Sequence, residues 1–559
     1  MARTLGVQFN GNRKIHAGAY SRIDTEGLNH VEAEKPRRIV FLGTAAGGDP
    51  NKIHWLSGPA EARQTFRSGD LVTAGELAWK PGYDQVGAGR IGFIRVQDAT
   101  ASQFTHENFQ FKAKDFGAWT NEIQVAWNTQ GQKHQLTVTH WKDGVTEAYK
   151  NIGEIFDVKC VGDETATLVI EADETTNKAT RLVVKTQGGE YAYPLGVGQY
   201  QDVQQLVSEL NRIPGVEASM KPFKKLTTDQ LDAVASTPLK DGYTVMAVKQ
   251  DLLNQVQKSV LITLTIANGA LPASLAQTAL AGGTDGTVPT SWTDKLDRLY
   301  GEDAYLLVPL TADRAIQQAC HQFVLRQLSE EGVTMMGVYG GGHHESIEEV
   351  SSRASSFNHP RAVVAYPGIH VFMEGEVKVL PAYLTAALIA GRIAGKDTGD
   401  PITFDAVDIV GLERNLKTLE VERLLMNGIT PLEANRRHAS AGYRIAQGIT
   451  THMVDSNPSF REISMHVLSD ELSRELVQIL EAKFVGGKGT ASTVALIQNE
   501  VQSYLDRKVR EDVLVEYDPK SVTVRLEGDA VYIDYSTLPV GALNYIFITT
   551  KYYKQAITV

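Results

Sequence analysis

Residues 280–310, LAGGTDGTVPTSWTDKLDRLYGEDAYLLVPL, decide how the rest of the chain is read. A Gly-Gly-Thr-Asp-Gly turn closes one segment and opens another. Gly282, Gly283 and Gly286 permit positive φ in a tight turn, and Asp285 can bond forward to its own backbone. An amphipathic run with Trp292, Leu296 and Leu299 follows, then a short apolar strand from Ala304 to Leu310. This is the pattern of a link, in which an inserted region ends and an α/β core resumes at residue 286. Gly282, Gly283, Asp285 and Gly286 are therefore read as a hinge turn.

Working outward toward the C-terminus, Thr311 to Glu330 has helical spacing, with Ile316, Ala319, Phe323, Val324 and Leu328 on or near one face. Thr334 to Tyr339 reads as a strand, Ser346 to Ser355 as a helix, and Ala362 to Tyr366 as a second buried strand. Val371 to Met373 with Val377 to Leu380 forms a hairpin, and Pro381 precedes a small-residue helix, Ala382 to Gly395. The alternation continues through Ile402 to Val410 and a helix starting at Pro431-Leu432. Ser492 to Lys508 is amphipathic, and strands follow at Val513 to Tyr517, Ser521 to Leu526 and Val531 to Tyr535. Asn544 to Thr550 is apolar and β-branched, with no later strand to pair with.

On the N-terminal side, Arg38 to Ala45 is an apolar run, Pro59 to Phe66 a short helix, and Gly89 to Val96 another strand. Strand, helix and strand at this spacing imply a parallel α/β unit. Residues 104–190 instead alternate with period two: Ile123, Val125 and Trp127, then Leu136 and Val138, then Ala166, Leu168 and Ile170. Residues 201–279 mix a helix (Val203, Leu206, Val207, Leu210) with the strand-like run Val260 to Ile266. The expected division is an N-terminal arm (1–35), the first part of the core (36–100), a β-rich insert (101–195), an α+β insert (196–285), the second part of the core (286–485), and a C-terminal helix with a sheet (486–559). The fold class is an α/β core with β-rich inserts and terminal β-arms, α+β overall.

The 559 residues are too many for one ordinary domain, and 42% hydrophobic with 22% charged residues is a soluble globular composition. A net charge of −11 makes the chain a poor coat for nucleic acid. Cys160 and Cys320, far apart, give no disulfide framework or cysteine metal site and suit a reducing compartment. MARTLGVQFNGNRK lacks the apolar core of a secretory signal, and the most apolar window, Ala382 to Ala394, is too short to span a bilayer. The expectation is a cytosolic chain with no membrane insertion.

Motifs for chemistry are incomplete. In Gly391-Arg392-Ile393-Ala394-Gly395-Lys396-Asp397 the glycines are too close together for a phosphate loop, and Asp397 stands where a hydroxyl is required. His343-His344-Glu345 lacks the HExxH spacing, because Glu348 occupies the second histidine position. Gly340-Gly341-Gly342 reads as a turn, and no Gly-x-Ser-x-Gly elbow occurs. No catalytic residue, metal site or cofactor is expected.

Four stretches resemble one family. His16 to Ile23, with Gly18-Ala19-Tyr20, resembles its N-terminal Gly-x-Tyr arm. Phe116 to Asn121 resembles its Gly-x-Trp-Gly-Asn turn, with Thr120 where glycine is usual. The Gly-Gly-Thr-Asp-Gly turn and the terminal run at 544–550 match in the same order. That family is the contractile tail sheath proteins of bacteriophages. The resemblance implies a core similar to subtilisin-like domains but without their active site, and a protomer of six-fold rings stacked helically on itself around a tail tube. Baseplate and tail-terminator proteins are the other implied partners, in a virion tail assembled in host cytoplasm. Contraction would drive the tube through a cell envelope. It also implies strand exchange between subunits through Ala17, Gly18, Tyr20 and Ile23 and through Tyr545, Ile546, Phe547 and Ile548. Tube contact would fall to Arg507, Lys508 and Arg510. An enzyme with an unrecognised site in the core, or a non-contractile virion protein, are the alternative readings.

Overall fold

The computed structural model describes the backbone of 7–9 and 12–14, residues 37–435 apart from 84, then 442–453, 461–544, 547 and 549–550. Its centre is a nine-stranded sheet in the order 406–407, 443–445, 430–434, 362–366, 336–340, 306–309, 39–43, 91–95, 54–56. From 430–434 to 91–95 neighbouring strands run parallel, and pairs at both edges are antiparallel. These strands read as continuous apolar runs because the sheet is covered on both faces. Ile39, Phe41, Phe93, Leu306 and Val338 belong to one apolar cluster, while Val40, Leu42, Ile94, Leu307 and Tyr339 belong to the other. Each such side chain, fully buried, contributes about 1.5–3 kcal/mol.

Helices Pro59–Phe66, Asp70–Trp79 and Ala382–Gly395 cover the first face. Arg314–Glu330, Ile347–Phe357 and Thr418–Met426 cover the second. Ala382–Gly395 is buried nearly all round. Gly391 lies so close to helix Asp70–Trp79 that a β-carbon there would stand 2.5 Å from Ala78 Cα. At its far end Arg392 bonds Asp405 at 2.6 Å. The strand that ends the opening stretch, Leu306–Pro309, pairs with Ile39 to Leu42 in the middle of the sheet.

Residues 103–279 put no strand into that sheet. The first and last parts of this insert form a proximal layer. Its sheets, 103–106 with 109–113 and 262–266, and 145–149 with 133–140, 124–130 and 275–279, enclose Phe109, Trp127 and Leu136. Residues 154–246 lie between them in sequence and build a distal layer, whose own cluster holds Leu168, Leu182, Leu206 and Val245. Helix Val203–Leu210 belongs to it, and Asp202 caps that helix by accepting from Gln204 N at 2.7 Å.

Three readings of secondary structure need correction. Thr430–Ala434 is a strand rather than a helix, paired in parallel with 362–366. The helix precedes it at Thr418–Met426, and Gly428, at φ +72°, ends the turn between them. A short apolar run fits either period, so Pro431-Leu432 alone could not decide. On Arg314–Glu330, Leu328 is exposed and Gln327 is buried on the face that Phe323 and Val324 share. A long helix, Ile463–Phe484, occupies residues for which no helix was expected. It is pinned to the sheet by Arg361, which donates to Asp470 at 2.8 and 2.7 Å, and by Tyr305 Oη, which donates to the same carboxylate at 2.9 Å.

Candidate functional site

The insert leaves the core after strand Ile91–Arg95 and returns through the Gly-Gly-Thr-Asp-Gly turn, and these two chains are bonded where they cross. Thr100 and Thr284 pair antiparallel, as do Gln103 and Ala281. Thr284 N donates to Thr100 Oγ1 at 3.0 Å, and Thr100 Oγ1 donates to Gly282 O at 2.9 Å. The other family-like motif meets them there. Asn121 Nδ2 donates to Gly283 O, and Gly283 N donates to Asn121 Oδ1, each at 2.8 Å. Asp285 Oδ1 accepts from Ala118 N at 3.0 Å and from the fully buried Arg95 at 3.3 Å. Arg95 also donates to the carbonyls of Gly48 and Phe116. Burial lowers the Arg95 pKa, and the Asp285 and Asp115 carboxylates oppose that shift.

The glycines here are set by space. A β-carbon on Gly283 would stand 2.7 Å from the Gly117 carbonyl oxygen, and one on Gly286, at φ +71°, would collide with the Asp98 carbonyl. Residues 282, 283, 285 and 286 thus form a bonded joint; of the partners that hold it, Asn121 ends the 116–121 motif, whereas Arg95 carries no local sequence signal for that role.

The second region is the C-terminal module. Helices Ile463–Phe484 and Ala491–Arg510 pack around Leu472, Ile497, Val501 and Tyr504. Of the three expected tube-contact cations, Lys508 is buried, bonding Glu475 at 2.8 Å and Glu511 at 3.0 Å. Burial works against its charge, but those two carboxylates outweigh burial and raise its pKa. Arg507 is half exposed over the Tyr504 ring and Arg510 is exposed, donating to Asp506 O at 3.3 Å. All three lie in the last turn of the helix, where cations suit the helix dipole.

After that helix come two two-stranded sheets, 514–517 with 537–539 and 523–527 with 530–534. Each has open edges among the described residues, and Val515, Leu538, Val540 and Leu543 are exposed beside them. Of the expected strand-exchange residues, Phe547 is 91% exposed and in no strand, while Tyr545, Ile546 and Ile548 lie outside the described residues. Ala17, Gly18, Tyr20 and Ile23 lie outside them as well. Upstream, 7–9 pairs with 12–14; the intervening Asn10-Gly11 is the dipeptide favoured in two-residue hairpins, a signal the sequence reading passed over.

Elsewhere, Gly391 and Gly395 of the incomplete phosphate loop belong to the buried helix Ala382–Gly395. His343 and His344 both face Glu413, at 2.9 and 3.3 Å, and Glu345 pairs with Arg353 at 2.5 Å. Among the described residues no group of three or more His, Cys, Asp or Glu is placed to hold a metal ion, and no helix is long and apolar enough to cross a membrane.

The chain is similar to known proteins along nearly its whole length. The chain is 32% identical over 570 residues to the tail sheath protein of Staphylococcus phage Twort, with 96% of each chain covered. It is 31% identical over 564 residues to that of Bacillus phage SP01, covering 98% of this chain and 97% of the relative. A counterpart in Enterococcus phage phiEF24C is 33% identical over 551 residues. Two solved sheath tail proteins share the fold at 15% identity. The one from Listeria innocua has a TM-score of 0.60 over 92% of this chain and 94% of its own; the one from Desulfitobacterium hafniense has 0.56 over 94% and 97%. No family model matches the chain. The chain belongs to the phage tail sheath protein family.

Proposed function

We propose that this chain is the protomer of a contractile tail sheath. It polymerises in stacked six-fold rings around a tail tube, and its contraction drives the tube through the host envelope. The end-to-end similarity to the Twort tail sheath protein, 96% of both chains, carries this reading. The role is structural rather than catalytic, on a subtilisin-like scaffold that has lost its active site. Nucleic acid binding and membrane insertion play no part in it. Assembly in the host cytoplasm precedes incorporation into the virion tail, with baseplate and terminator proteins at its ends.

Within that reading, the arms around Ala17 to Ile23 and Tyr545 to Ile548 add strands to sheets of neighbouring subunits. The open edges at 514–517 and 523–534, with Val515 and Leu538 exposed beside them, supply a receiving surface. An inter-strand hydrogen bond is worth about 0.5–1.5 kcal/mol net, so four or five per arm add up to several kcal/mol. Arg507 and Arg510 are the exposed cations available for the tube. The joint at 282–286 marks the boundary between the insert and the second part of the core, which with the arms and the C-terminal module makes up the domain plan.

Negative-stain microscopy of the purified chain tests the proposal. Hollow striated cylinders are expected. A monodisperse, non-polymerising particle in both low and high salt would refute the sheath reading, and smooth tubes of one fixed length and diameter would refute contraction.

A further inference from the structure

The core and the proximal layer of the insert enclose separate apolar clusters. The clusters on the two faces of the sheet and the cluster of the proximal layer share no residue. Between core and insert lies an open cleft of about 620 Å³, bordered by Lys52, His54, Arg63, Arg67, Asp115 and Trp119. The covalent connection is only two chains wide, at the Thr100–Thr284 crossing. Such a joint permits rotation unless something across the cleft fixes the angle.

Gly48 N donates to Asp115 Oδ1 at 2.8 Å and Arg95 to the Phe116 carbonyl, and beyond these backbone contacts one core side chain pairs with side chains of the insert. Arg67, just past the end of helix Pro59–Phe66, has φ +64°, a conformation that costs a non-glycine residue free energy and needs a compensating contact. Its guanidinium carbon stands 3.3 Å from the centroid of the Trp119 ring, and its terminal nitrogens donate to both oxygens of Asp143, at 3.2 and 2.5 Å. Trp119 and Asp143 both belong to the insert. Behind them His140, buried in the proximal layer, lies edge-on to Trp119, with its ring nitrogens 3.0 Å from Asp143 and 3.7 Å from Glu122. The Arg67 hydrogen bond holds the Asp143 carboxyl below the usual carboxylate range. Stacking and a two-pronged ion pair on one guanidinium fix direction as well as distance. Yet Arg67 and Asp143 keep 25% and 36% side-chain exposure, so water can replace the contact.

We propose that Arg67 is a releasable clasp: closed on Trp119 and Asp143 it sets the angle of the insert on the core, and open it lets the insert turn about the Thr100–Thr284 crossing. This makes the insert a two-position element rather than a fixed ornament. The inference concerns the single chain and does not depend on what the chain assembles into.

The test is a distance measurement in the full chain. Cys160 and Cys320 are 2% and 0% exposed, so spin labels attach selectively at Lys133→Cys on the proximal layer and Ser329→Cys on the core. Samples diluted with unlabelled chain exclude distances between copies. With Arg67 intact, pulsed electron resonance should give one narrow distribution. In Arg67→Ala and Asp143→Ala it should split or roughly double in width. Arg67→Lys, which keeps the charge and loses the planar stack, should fall between. Arg63→Ala, whose guanidinium bonds Glu76 on the core at 2.6 Å, should leave it unchanged. An unchanged narrow distribution in Arg67→Ala overturns the proposal. If that variant loses its circular dichroism spectrum, Asp143→Asn carries the test, and a wild-type distribution there overturns it equally.

Discussion

Asn121 and Gly283 bond each other twice at 2.8 Å across 162 positions of sequence, the Asn121 amide standing in for a strand that the glycine backbone would otherwise lack. The pairing works because a side-chain amide offers one donor and one acceptor in the geometry of a peptide group. Removing it strands both groups of Gly283. Asn121→Ala should therefore cost about 1–3 kcal/mol, and Gly286→Ala more, since it adds a backbone collision at positive φ. Urea unfolding followed by tryptophan fluorescence checks this. Equal midpoints for wild type and Gly286→Ala would contradict the crowding seen at that carbon.

Acid should weaken the core through His321. Burial, with the charge of His359 second, lowers its pKa to about 4. In the unfolded chain it titrates near 6.5. Between those values the unfolded state binds the extra proton, so stability is intact above about pH 6.5 and falls toward pH 4. The drop attributable to this group is roughly 3 kcal/mol. In His321→Phe, which keeps a ring against Tyr339 and Phe357, the slope of unfolding midpoint against pH over that window should flatten.

Breaking the buried pair that pins helix Ile463–Phe484 should be costly. Asp470→Asn leaves Arg361 and Tyr305 facing a neutral group in an interior site, and about 3–5 kcal/mol is expected. Differential scanning calorimetry should show a lower transition temperature, and an unchanged thermogram would rule out that anchoring role.

Polymerisation should depend on the arms. Proline removes the donor a ladder requires, so Tyr20→Pro or Phe547→Pro should leave a folded monomer by sedimentation velocity. Truncation of residues 1–25 should do the same. Full-length sheaths from the truncated chain, or its unfolding, would rule out exchange by the N-terminal arm.

Charge reversal at Arg507 and Arg510 together should uncouple sheath from tube while sparing contacts between sheath subunits. Exposed pairs are worth about 0–1 kcal/mol each, which suits a surface that slides. Normal co-assembly with tube at physiological salt would remove these residues from the interface.

The sheet was largely legible because burial on both faces leaves its central strands almost wholly apolar, as in Ile39–Gly43 and Ala362–Tyr366. The insert was legible as β structure from its alternation, yet alternation names no partner. Nothing local says that Leu275–Ala279 returns beside 124–130, or that 154–246 forms a separate layer within. Helix Ile463–Phe484 was passed over because its inward face carries Asp470 and Glu471, both buried, which break the apolar stripe. Lys508 looked like one of three equivalent surface cations; only the approach of Glu475 from another helix makes it interior.

The strands on either side of Ile39–Gly43 are the one from which the chain departs into the insert and the one to which it comes back. Departure and return therefore lie at neighbouring points on one sheet, and the crossing at Thr100 and Thr284 closes the gap like a drawstring. Everything beyond that crossing is cargo in a topological sense. Its length can grow, shrink or be exchanged without shifting the register of a single core strand, because loop closure costs rise only slowly with chain length. Such an arrangement lets one core carry inserts of different size and shape, provided that the crossing itself stays closed.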